Sequence, residues 1–134
     1  SAEEEVVFRE VFDEFQADST RTAQQFWREL GGPPEAARAI EPSELLGLVY
    51  GRSDYDARER GRIQLSMERA GLTEPSNDDL SVTERLVRWD ADLGNAFEAK
   101  LAERLGPARA KSLRADRGGW SGKRSTWADL CSER

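Results

Sequence analysis

Between Ser81 and Pro107 the chain carries an apolar stripe of helical period with a start signal and a stop signal, and this stretch constrains the fold more than any other. Leu86, Leu93, Phe97, Leu101 and Leu105 fall on one side of a helix, with Trp89 and Ala96 beside them. Ser81-Val82-Thr83-Glu84 has the spacing of a capping box, with serine at the N-cap and glutamate three residues on. Gly106 ends the pattern, and Pro107 opens a last helix to about Arg114, with Leu113 turned inward. The spacing therefore predicts a long helix over Val82–Leu105, the spine of a small bundle. No stretch sustains period-two alternation, so no sheet is expected, and no repeat of 20–50 residues is visible.

The rest of the chain reads the same way. Phe8, Val11, Phe12 and Phe15 give a helix over Glu3–Gln16, with Glu3, Glu4 and Glu5 in its first turn, where the helix dipole favours anions. Asp18-Ser19-Thr20 is expected to break it and to cap a second helix that buries Ala23, Phe26, Trp27 and Leu30. Gly31-Gly32 and Pro33-Pro34 stop that helix, and a short turn over Glu35–Ile40 follows. Glu41-Pro42-Ser43 starts a segment with Leu45, Leu46, Leu48, Val49 and Tyr50 as its apolar stretch, ended or bent at Gly51. Ser53 or Asp54 caps a helix to about Ala70, polar on most sides, whose buried face is expected to be Tyr55, Ile63, Met67 and Ala70. Residues 71–80 form a loop. The fold class is all-α: one domain, an orthogonal or up-and-down bundle of five or six helices over residues 1–117. The N-terminal helix packs on the spine through its phenylalanines. Residues 118–134 form an irregular, basic, tryptophan-containing tail.

A chain of 134 residues is one domain by length and can support a core of its own. Apolar residues make up 37% and charged residues 34%, a balance that suits amphipathic helices with solvated outer faces. Histidine is absent, so no side chain has an unperturbed pKa near neutrality. The single cysteine, Cys131, permits no intrachain disulfide and fits either a reducing compartment or a periplasmic domain. No run of 18 apolar residues is present to span a membrane. No signal peptide is read at Ser1, Ala2 and three glutamates, a start that also fits a chain from which a leader or anchor has been removed.

Most mechanism classes lack their parts. Triads need a histidine base, and zinc needs several Cys or His ligands. Asp90 and Asp92 begin like a calcium loop, but Gly94 and Leu101 stand where ligands are required; Asn77, Asp78 and Asp79 read as helix-start support. The carboxylate pairs Asp13 with Glu14, Asp90 with Asp92 and Glu98 with Glu103 lie on polar faces, where no burial raises a pKa for general-acid work. Gly118–Thr126, GGWSGKRST, departs from a phosphate-binding loop: Gly118 is one residue too close, Arg124 follows the lysine, and no buried strand precedes it. No catalytic residue, cofactor or metal site is read.

Charge is unevenly placed. Residues 1–99 hold 22 acidic and 11 basic side chains, a balance of −11, whereas residues 100–134 hold 4 and 9, a balance of +5. Arg109, Lys111, Arg114, Arg117, Trp120, Lys123 and Arg124 are the candidate contacts for a partner or an anion. An acidic body is expected to draw this segment in cis, with Trp120 and Trp127 as anchors, which makes nucleic acid a weaker partner. The function expected is a non-enzymatic protein-interaction module of regulatory, chaperone-like or assembly type. Nucleic-acid or polyanion binding through the basic segment, and small-molecule binding between helices, are the alternatives.

The closing stretch, Leu105-Gly106-Pro107-Ala108-Arg109-Ala110 with Leu113-Arg114, Gly119-Trp120 and Cys131, resembles the C-terminal part of uncharacterised small bacterial helical proteins. It covers about a fifth of the chain. Those proteins often carry an N-terminal membrane anchor, so the resemblance implies a periplasmic soluble domain and assigns no functional residue.

Overall fold

A computed structural model describes residues 1–75 and 79–116. They form six helices: α1 Ala2–Glu29, α2 Pro34–Ala39, α3 Pro42–Arg52, α4 Tyr55–Arg69, α5 Val82–Leu105 and α6 Pro107–Asp116. No strand is present among the described residues, and no helix there is long and apolar enough to cross a membrane. The all-α bundle is thus as the periodicity predicts. α5 is its spine, packed against α1, α4 and α6, while α1 also covers α2 and α3.

The predicted break at Asp18-Ser19-Thr20 is absent, and α1 runs through it. Of the hydroxyls expected to cap a new helix, that of Thr20 bonds backward instead, donating to the Gln16 carbonyl at 2.7 Å; Thr22 Oγ1, two residues on, does the same to the Asp18 carbonyl at 3.2 Å. Asp18 is held by Arg21 and by Lys100, so its carboxylate is not a cap. The apolar stripe also keeps phase across the site, through Phe15, Ser19, Ala23 and Phe26, all buried.

α1 stops where Gly32 passes beneath Trp27: a Cβ there would overlap the indole ring, so only glycine fits. The indole N–H donates to the Pro33 carbonyl at 2.7 Å, and the Arg52 guanidinium lies 5.2 Å from the ring centroid. Pro34 and Pro42 sit at the openings of α2 and α3. α3 runs one residue past Gly51, to Arg52, and Leu48 points outward. Asp54, not Ser53, caps α4, accepting from the Ala57 N–H at 2.9 Å. Ser81 caps α5 by accepting from the Glu84 N–H, but Glu84 takes the Ser81 hydroxyl rather than completing the reciprocal bond. A full capping box stands at Ser1 and Glu4 instead.

The core centres on Phe97, fully buried in α5. Phe8, Phe12 and Phe15 surround it at centroid distances of 5.5, 6.2 and 5.2 Å, edge to face. Leu45, Leu46 and Val49 of α3 and Leu86, Leu93 and Leu101 of α5 complete it.

α4 reverses the expected orientation. Tyr55 and Ile63 are 63% and 59% exposed, Ala70 is exposed and Met67 is only half-buried. The residue turned onto α5 is Gly61, the one buried position of α4. There α4 faces Glu84 and Val87 of α5. A Cβ at position 61 would stand 3.7 Å from Val87 Cγ2, an ordinary contact. Gly61→Ala is therefore expected to stabilise the protein by about 0.5–1 kcal/mol, the helix-propensity difference, in urea denaturation; a loss of stability would show that the two helices are already as close as they can be.

Candidate functional site

The basic C-terminal segment is partly consumed by the fold. Arg109 lies on Glu4, with Nη2 donating to Oε1 at 2.8 Å. That guanidinium, first among the causes, draws the Glu4 carboxyl down to a pKa of about 2, so the pair stays charged throughout the physiological range. Arg114 donates to Asn95 at 2.9 Å and pairs with Glu98 at 3.4 Å. Lys111 is exposed. Arg117, Trp120, Lys123 and Arg124 lie outside the described residues, as does the expected docking of residues 118–134.

Arg109 belongs to a larger pattern. Arg104 pairs with Glu10, Lys100 with Glu14 and Asp18, and Arg85 with Glu29. As the number rises along α1 the partner's number falls, so α1 and α5 run antiparallel with acids on one side of the seam and bases on the other, and Arg109 at the start of α6 adds the last rung. Each exposed rung contributes little alone, about 0–1 kcal/mol; together they fix one register. The charge asymmetry of the sequence signalled opposition between the two ends, but not the pairing, which needs the continuous α1.

The face of α4 turned away from α5 is where the structure leaves apolar area uncovered. Tyr55, Ile63 and Met67 share it by helical spacing, and Leu72, 73% exposed, follows just beyond its end. Ile63, Met67 and Leu72 share a shallow depression of about 300 Å³ with Arg62 and Ser66. At 100° per residue, Arg62 and Arg69 flank this stripe on one side and Arg60 on the other. All three arginines are exposed, and Arg62 is tied to Glu59. The sequence contained the signal, an apolar stripe on a polar helix, but periodicity cannot say whether a stripe faces the core or a partner.

Several clefts lie along α5; the largest described, of about 530 Å³, runs between α4 and the start of α5 beside Gly61 and Glu84, and two others hold distinctive groups. One, of about 240 Å³, holds Tyr50, whose hydroxyl donates to Asp90 Oδ2 at 2.8 Å. Burial first, then Asp90, pushes the phenol well above its ordinary range, so it stays protonated. The other, of about 400 Å³, runs between α1 and α5 over Phe15, Ser19, Trp89, Leu93 and Ala96. Of the carboxylates paired in sequence, Asp90 holds Tyr50, Glu14 holds Lys100 and Glu98 holds Arg114. Among the described residues, no three Cys, Asp or Glu side chains gather as a metal-ligand set.

No protein-family model, no curated protein and no solved structure matches the chain, so these surfaces are read from their own chemistry.

Proposed function

We propose that the protein is a non-enzymatic interaction module, regulatory, chaperone-like or assembly in type, that docks an amphipathic helix with acidic flanks on the outer face of α4. The observation that carries this is the apolar stripe of Tyr55, Ile63 and Met67, continued by Leu72, which the fold leaves in solvent while burying Gly61 on the opposite side. Apolar anchors at helical spacing suit a helix laid along a groove. The rim chooses the sign of its partner. Arg60, Arg62 and Arg69 flank the stripe, while Asp56 and Glu59 lie on it by the same helical spacing and Glu59 is tied to Arg62, so three cations stand against two carboxylates and the net balance modestly favours acidic over basic flanks. This disfavours residues 117–134 as the occupant, since they hold four basic and two acidic side chains. The nucleic-acid alternative loses ground for a different reason: Arg109 and Arg114 are already paired with Glu4 and Glu98. On the resemblance of its closing stretch, we place the module in a bacterial periplasm.

The test uses two synthetic helical peptides with leucines at i, i+3, i+4 and i+7, one flanked by glutamates and the other by lysines. The glutamate peptide is expected to bind at about 10 µM, within the range for a single helix in a groove. The lysine peptide should bind at least about fivefold more weakly. Ile63→Asp should abolish binding while changing unfolding free energy by less than about 0.5 kcal/mol, as an exposed substitution does. Equal binding of the two peptides, or full binding by Ile63→Asp, would overturn the reading.

A further inference from the structure

The α1–α5 cleft carries a separate signal. Its floor is apolar, built from Phe15, Leu93, Ala96 and the flank of Trp89. Into that floor is set Ser19, 4% exposed, whose hydroxyl has no hydrogen-bond partner among the described residues. A buried hydroxyl without a partner costs about 1–3 kcal/mol, and a bound polar group would relieve it.

The mouth of the cleft has an uneven charge account. Arg88 is turned to Glu68, meeting both carboxylate oxygens at 2.7 and 3.0 Å, and its electrostatic surroundings are set by Glu68 and Glu84. Lys100 is held by Glu14 and Asp18, each at 3.3 Å, and Asp18 is held in turn by Arg21. The remaining charged group is Asp92, exposed and one helical turn from Arg88, with no ion pair among the described residues. The cations are therefore spoken for and one carboxylate is not.

From this arrangement we propose that the cleft binds a small apolar amine, protonated at neutral pH, with its hydrocarbon part over Trp89 and Ala96, its ammonium at Asp92 and a hydrogen bond to Ser19. The volume, about 400 Å³, suits one ring with a short arm. An anion would meet no available cation. A bare metal ion would find a single unshared carboxylate above hydrocarbon, too few oxygens for calcium or magnesium.

Titration calorimetry and amide NMR with three probes of similar size test the proposal: 2-phenylethylamine, 2-phenylethanol and 3-phenylpropionate. The amine is expected to bind with a dissociation constant below about 1 mM, the alcohol at least about fivefold more weakly and the carboxylate more weakly still. Shifted amides should cluster at Ser19, Trp89, Asp92 and Ala96. Asp92→Asn should bring the amine to the level of the alcohol and leave the alcohol unchanged. Ser19→Ala should weaken all binding at least about threefold while leaving thermal stability equal or higher, because it removes a buried hydroxyl that lacks a partner. Amine binding that is absent up to 10 mM (roughly tenfold above the expected constant), that is unaffected by Asp92→Asn, or whose shifts lie outside the cleft would sink the proposal. The α4 face shares none of these residues, so failure here leaves the docking reading standing, and the reverse.

Discussion

Phe97→Ala is expected to cost about 4 kcal/mol in urea denaturation, within the range for deleting a buried phenylalanine. The ring is fully buried and meets Phe8, Phe12 and Phe15 edge to face, so its loss removes hydrocarbon burial and three aromatic contacts together. Those three rings come from one rigid helix, which limits how far the cavity can collapse. Domains of this kind have a total stability of about 5–15 kcal/mol, so the variant should sit near its folding threshold. A loss under about 2 kcal/mol would mean that α1 does not clamp onto α5 as described. Phe97→Leu should cost less than half as much, since it retains most of the volume.

Arg88→Ala is expected to cost about 3 kcal/mol, more than substitution of any other charged residue among the described ones. The reason is its partner. The Glu68 side chain is 5% exposed, and the Arg88 fork supplies two hydrogen bonds to it. Removing the guanidinium leaves a buried carboxylate without that compensation, which is far more costly than the pair itself is beneficial. Two further measurements separate this account from simple loss of packing. The deficit should narrow as pH falls into the carboxylate range, because a protonated Glu68 is cheaper to bury. Replacing both partners, Glu68→Leu with Arg88→Met, should restore stability to within about 1 kcal/mol of the original. A deficit independent of pH would show that the Glu68 charge is not its source.

How much of this was legible in the sequence depends on whether a signal was local. The α5 helix was, because its cap at Ser81, its stripe and its stop at Gly106 all lie within the element. The union of two expected helices into α1 was not. Asp18, Ser19 and Thr20 have the same composition whether they cap a helix or bond back into one. The choice was made by Lys100, which takes Asp18 from across the seam, and by the burial of Phe15, Ala23 and Phe26 on one continuous face. α4 shows the converse error. Its apolar stripe is a stripe but not the buried side: the side turned to α5 carries Gly61, which nothing in the helix's own periodicity marks. The basic segment was legible as a charge asymmetry. Its engagement by Glu4 and Glu98 was not, since those partners are fixed only by tertiary register.

The antiparallel seam also has a consequence for how the chain comes off the ribosome. Every rung joins residues far apart in sequence, from Glu29 with Arg85 to Glu4 with Arg109. Phe8, Phe12 and Phe15 therefore emerge roughly 80 residues ahead of the ring they enclose, and at ordinary elongation rates they wait several seconds for it. During that interval α2 and α3, which pack on α1 in the finished fold, are already available to shield it. Such separation raises contact order above that of a bundle with only neighbouring helices paired, so folding should be slow for an all-helical chain of this length. The nascent first helix, aromatic on one side and acidic on the other, is then the segment most in need of protection: its hydrophobic side is exposed early, while its glutamates keep it dispersed until α5 arrives.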